Sequence, residues 1–179
     1  MARAAVFIID GFEEIEAVSV IDLLRRGGVE TETVSLEPGL KVQGRHQIAL
    51  EADRLLDGLK PDSYDILILP GGTIEYVNRP PFLKIIAERA ASGRRLAAIC
   101  AAPAVLGRLG ILKGKKAVCY PGFEKELAGA EVETEPVLTD GFITTSRGPG
   151  TAPLFALEIL RLLVSQEVSD EVRRGILLS

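Results

Sequence analysis

Cys100 is the residue of this sequence best suited to nucleophilic chemistry. The apolar run Leu96-Ala97-Ala98-Ile99 leads into it, and Ala101-Ala102-Pro103 follows. Small residues on both sides permit a tight turn and close approach of a substrate, and proline is well tolerated in the first turn of a helix. The pattern is that of a strand delivering a side chain to a helix N-terminus, as in a nucleophile elbow. Free backbone N–H groups and the helix dipole there favour thiolate over thiol, which predicts a pKa well below the ordinary thiol value. A thiolate at neutral pH adds to carbonyls and is also the form that peroxide oxidises. Strand-end cysteines serve equally as small packing residues, so the local sequence leaves both roles open. Cys119, in Ala117-Val118-Cys119-Tyr120, lacks the small-residue setting and reads as structural.

A carboxyl partner for the sulfur is visible near the N-terminus. Glu13 and Glu14 suit the first turn of a helix, where carboxylates complement the dipole. Glu16 differs, because steps of four and three put it on one stripe with the apolar Val20 and Leu23. A carboxyl on such a face has a raised pKa, stays protonated, and can donate a hydrogen bond to a charged sulfur. Pro70-Gly71-Gly72 follows an apolar run and offers backbone that a ligand can approach closely. Its N–H groups and that of Ala101 would form two halves of an oxyanion hole, although a plain tight turn accounts for the same residues. The segment Thr145-Ser146-Arg147-Gly148-Pro149-Gly150-Thr151 could hold a carboxylate or phosphate. No G-x-G-x-x-G or Walker A pattern occurs, so neither a dinucleotide nor a nucleoside triphosphate is implied. The only histidine, His46, falls in an expected edge region and reads as an ordinary surface residue. With one histidine and two cysteines, no structural zinc site is expected.

The elements that must position these groups follow from periodicity. Ala4–Ile9, Glu30–Ser35, Ile66–Leu69, Leu96–Ile99 and Phe142–Thr145 read as strands. Helical spacing marks Glu14–Arg26, Phe82–Ser92, Ala102–Leu109 and Ala152–Val164, the first closed by Gly27-Gly28. Lys41–Leu50 reads as a hairpin or edge pair. Apolar strands alternating with helices predict an α/β fold with a mostly parallel sheet covered on both faces. In such sheets, sites form outside the carboxyl ends of the strands, where Asp10-Gly11, Pro70-Gly71-Gly72 and Cys100 all fall.

A chain of 179 residues suits a single domain over 1–179. A hydrophobic share of 47% with 26% charged residues is that of a globular protein. The net charge of -4 gives no basic footprint for stable nucleic-acid binding. No apolar run is long enough to span a bilayer. Ala4–Ile9 is too short for a signal peptide and is followed by Asp10, Glu13, Glu14 and Glu16. A cytoplasmic location and no disulfide framework are therefore expected.

Four segments in register resemble the ThiJ/PfpI family, in its branch of parkinsonism protein 7 and YajL-like proteins. They are Gly11-Phe12-Glu13-Glu14-Ile15-Glu16, Leu69-Pro70-Gly71-Gly72, Ala98-Ile99-Cys100-Ala101-Ala102-Pro103, and Thr145 to Thr151. The resemblance implies a flavodoxin-like three-layer sandwich, a homodimer with the site near the subunit interface, and no cofactor or metal. It implies Cys100 as nucleophile, Glu16 as its protonated partner, and Gly72 and Ala101 as backbone donors. Gly71, Arg147, Arg26 and Tyr120 would border the substrate, with Tyr120 where relatives carry a histidine. The implied activities are glutathione-independent conversion of methylglyoxal to lactate and deglycation of methylglyoxal or glyoxal adducts on proteins and nucleotides. Oxidative-stress sensing through Cys100 oxidation, with chaperone activity, is the alternative. A glutamine-amidotransferase-like or PfpI-type peptidase hydrolase ranks last, because it needs a histidine at the site, Ala101 stands where the PfpI branch carries one, and His46 is the only candidate.

Overall fold

The computed structural model describes residues 1–179. Its central sheet begins with β1 (Arg3–Ile8), β2 (Glu30–Ser35) and the short β5 (Arg54–Leu55). It continues with β6 (Ile66–Leu69), β7 (Arg95–Ile99), β10 (Val137–Asp140) and β11 (Ile143–Ser146). Their order is β10-β11-β7-β6-β1-β2-β5. Every neighbouring pair is parallel except β10 and β11, which make an antiparallel edge. The mostly parallel α/β sheet anticipated from the alternation of elements is thus present, in the flavodoxin-like sandwich that the family resemblance implies.

Strand alternation explains the two cores. In β1, Ala4, Val6 and Ile8 face one side while Ala5 and Phe7 face the other. The first set packs under α1 (Glu14–Arg26), α4 (Ala152–Leu163) and α5 (Gln166–Gly175). The second packs under α2 (Pro80–Ala91) and α3 (Pro103–Arg108), where Phe7 meets Phe82 edge-on at 4.9 Å. Strands buried on both faces need near-continuous apolar runs, which is what Ile66–Leu69 supplies.

Two small sheets lie outside this frame. One is the hairpin of β3 (Lys41–Gln43) and β4 (Ala49–Glu51); the other pairs β8 (Lys116–Ala117) with β9 (Glu131–Val132). The hairpin is the one expected over Lys41–Leu50. The last expected strand starts one residue later than its sequence pattern suggested, at Ile143. β5, β8, β9, β10 and α5 were not anticipated. No helix is long and apolar enough to cross a membrane.

Candidate active site

Strand β7 ends at Ile99, and the chain turns sharply at Cys100, whose φ is +67°. A side chain with a Cβ adopts that region only when its surroundings impose it. The surroundings here are two backbone bonds: Cys100 N–H donates to Ser146 carbonyl at 3.0 Å, and Tyr120 N–H donates to Cys100 carbonyl at 2.8 Å. The turn holds the sulfur at the carboxyl end of the sheet, 7% exposed.

Glu16 reaches the same place from α1 and is 0% exposed. Glu13 caps that helix by accepting the Glu16 N–H at 2.8 Å, which fixes the first turn. Glu16 Oε2 accepts from Gly71 N–H at 2.7 Å, Oε1 has no hydrogen-bond partner, and the Cys100 thiol neighbours the carboxyl. A neutral carboxyl with its proton on Oε1 resolves that orphan, because it would donate to the sulfur. Burial raises the Glu16 pKa to about 7, against the opposing pull of its hydrogen bonds.

The sulfur itself departs from the sequence expectation. Burial first, then the Glu16 carboxylate, push the Cys100 thiol up to about 12, while the Gly72 and Ala101 N–H groups pull it down. The backbone amides act on the sulfur as anticipated, but burial outweighs them. Two anions do not coexist in this volume, so the pair retains one proton.

Glycine is required at both positions of the neighbouring turn. A Cβ on Gly71 would lie 2.5 Å from Cys100 Cβ and 2.8 Å from Glu16 Oε2. Gly72 has φ +90°, and a Cβ there would sit 2.4 Å from the Glu13 nitrogen. This close approach aims Gly72 N–H at the sulfur, together with the N–H of Ala101.

Cys100, Ala101, Gly72 and Tyr120 border a cavity of about 550 Å³. Gly71 does not line it; it lies behind the sulfur and anchors Glu16. Arg147 borders a separate groove beyond Tyr120 and Pro149 and donates to Thr134 carbonyl at 3.4 Å. Arg26 lies at the far end of α1, about 15 Å from Glu16 along the helix axis at 1.5 Å per residue. It pairs with Asp22 at 2.8 Å and is not among the residues around Cys100. Placing Arg26 beside the substrate therefore does not hold within one chain.

Arg45, which the sequence did not single out, and His46, read there as an ordinary surface residue and a candidate only for a hydrolase, both border the cavity. The tip of the β3–β4 hairpin brings Arg45 and His46 to its rim. Arg45 Nη1 donates to Gly72 carbonyl at 2.6 Å, and His46 Nδ1 lies 2.9 Å from Glu14 Oε2. The polar tip Gly44-Arg45-His46 was the only local signal, and nothing in it says where the hairpin lands. Glu13, Glu14 and His46 also offer ligand atoms within 4.8 Å of one another. The Glu14 oxygens are already committed to the His46 ring and to the N–H groups of His46 and Ile48, so the set is a hydrogen-bonded cluster.

The model of the DJ-1/PfpI family matches residues 2–162, and the chain belongs to that family. Among individual relatives, it is 41% identical to Protein DJ-1 homolog B of Arabidopsis thaliana over 90% of this chain and 38% of the plant protein. The chain spans less than half the length of the plant relatives it matches. It is 31% identical to Deglycase PfpI of Pyrococcus furiosus, over 85% of this chain and 93% of that protein. The structure of oxidized Toxoplasma gondii DJ-1 superposes with a TM-score of 0.94 at 32% identity, covering 99% of this chain and 98% of that one.

Proposed function

We propose that this chain is a cysteine-dependent enzyme that removes reactive aldehydes. It converts methylglyoxal to lactate without glutathione, or releases glyoxal and methylglyoxal adducts from proteins and nucleotides. One observation carries the reading: the Cys100 sulfur meets the N–H groups of Gly72 and Ala101 and the buried Glu16 carboxyl beside an open cavity. In the reactive arrangement the Cys100 thiol, its pKa held up at about 12, passes its proton to the Glu16 carboxylate, which leaves the charge on sulfur beside the two N–H groups. The thiolate adds to the aldehyde carbon, the two N–H groups hold the oxygen that becomes negative, and Glu16 supplies its proton. The cavity accommodates a three-carbon dicarbonyl and leaves room for part of a larger adduct. The name of the archaeal relative points the same way. Lactate formation from methylglyoxal by the wild-type chain and by Cys100→Ala tests this. We expect the variant to lose turnover by at least about 100-fold; equal turnover would remove the hypothesis.

A second reading uses the same sulfur as a redox sensor, with chaperone activity. Two backbone donors and a neutral carboxyl are also what a cysteine sulfinate needs around it. Mass spectrometry after mild peroxide distinguishes the two: selective oxidation of Cys100 in a chain without aldehyde turnover favours sensing. We further propose a homodimer, because Ile15, Val18 and Ile48 expose 57%, 44% and 58% of their surface on elements adjoining the site.

A further inference from the structure

Glu14 and His46 form a built pair that the chemistry above leaves unused. Glu14 is 5% exposed. Its Oε1 accepts from the backbone N–H of His46 at 2.6 Å and of Ile48 at 3.4 Å, and its Oε2 lies 2.9 Å from His46 Nδ1. Burial acts to raise this carboxyl, but the hydrogen bonds from the imidazole and backbone outweigh it and hold it below the ordinary range. An ionised carboxylate only accepts, so the ring presents an N–H at Nδ1 to Glu14, and in the neutral ring the lone pair is then on Nε2. The other charged groups facing the ring are Glu13, whose Oε1 is 3.9 Å from Nδ1, and the adjacent Arg45, held on Gly72 carbonyl. His46 and Cys100 border one cavity.

Resting on the aldehyde reading, we propose that His46 is the base that moves a proton within the Cys100 adduct, with Glu14 as its positioning residue. Thiolate addition to methylglyoxal gives a hemithioacetal with hydrogen on C1 and a ketone at C2. His46 Nε2 takes the C1 proton and the C–H electrons form the C1=C2 bond, while the Glu16 carboxylate, which gave its proton in the addition step, carries the C1 hydroxyl proton across to the C2 oxygen. The imidazolium then returns its proton to C2 as the C1–O electrons form the thioester carbonyl. The product is a lactoyl thioester on Cys100, which water cleaves to lactate and free thiol. C1 is oxidised as C2 is reduced, so no external oxidant takes part.

The test uses the full chain with methylglyoxal as probe. His46→Ala is expected to lower kcat about 100-fold, with Cys100 alkylation by iodoacetamide within about twofold of wild type. Free imidazole in the buffer should restore turnover in proportion to its concentration. Glu14→Gln should lower kcat about tenfold with KM unchanged. Because His46 is the only histidine, the ¹⁵N resonances of the neutral ring in wild type report its tautomer directly, and Nδ1–H is expected. An Nε2–H tautomer, or wild-type kcat in His46→Ala, overturns the inference while leaving the role of Cys100 standing. A wild-type chain that makes no lactate from methylglyoxal removes the glyoxalase form of the aldehyde reading and this inference with it, while release of adducts is decided separately.

Discussion

At the scale of single residues, Glu16 and Cys100 were legible and the outcome of their meeting was not. Helical spacing alone put Glu16 on the stripe of Val20 and Leu23, and its raised pKa follows from full burial. The sulfur combines two opposing effects whose balance depends on depth, which no sequence pattern encodes. The Glu16 shift has a consequence for stability. Its folded value of about 7 lies above the ordinary 4.5, so the folded chain binds more protons than the unfolded chain between those values. The stabilisation it gives is complete below about pH 4.5 and is lost as pH rises through about 7. Glu16→Gln carries no ionisation, so it should gain on wild type across that window, by up to about 3 kcal/mol. Urea unfolding of both proteins at either end of the window measures this. A stability difference that does not change with pH would show that Glu16 is ionised throughout.

At the scale of elements, β1, β6 and β7 were readable because burial on both faces demands apolar runs, and β2 because its β-branched Thr and Val alternate with polar residues. α5 escaped because its sequence is mostly charged and only Ser169 and Val172 are buried. β8, β9 and β10 escaped because they are short and of mixed polarity. The hairpin was readable as a hairpin, but its return onto α1 joins Glu14 to His46 across 32 residues, and local periodicity says nothing about that. Where elements converge, the tolerance is tightest. The end of β6, the turn after β7 and the start of α1 meet at Gly71, with Ile99 carbonyl 2.8 Å from where a Cβ would stand. Both that oxygen and the Cys100 Cβ belong to constrained backbone, so neither can swing aside as a flexible side-chain end would. Gly71→Ala should therefore separate sulfur from carboxyl, lowering kcat by at least about 100-fold and stability by about 1–3 kcal/mol. Turnover and thermal unfolding of the purified variant check both numbers. Wild-type kcat would mean that the Cys100–Glu16 contact is dispensable.

At the scale of the whole molecule, three of the nine exposed large hydrophobic residues gather on α1 and the hairpin beside it. Ile15 and Val18 occupy the outward face of the helix that carries Glu14 and Glu16, and Ile48 sits on the hairpin that carries His46. Water contact with large aliphatic side chains is unfavourable by roughly 25 cal/mol per Å². A second copy seated on this face would remove that contact and press the hairpin onto α1. Val18→Lys places a charge at the middle of the face without touching the inward stripe of Ala17, Val20 and Leu23. Its expected behaviour in size-exclusion chromatography with light scattering is a single chain, against two chains for wild type. Turnover should fall as well, because the hairpin that holds His46 would lose its outer support. A wild-type chain that runs as a monomer would show that this face does not pair. A monomeric Val18→Lys with wild-type turnover would show instead that the Glu14 hydrogen bonds alone suffice to hold His46 in place.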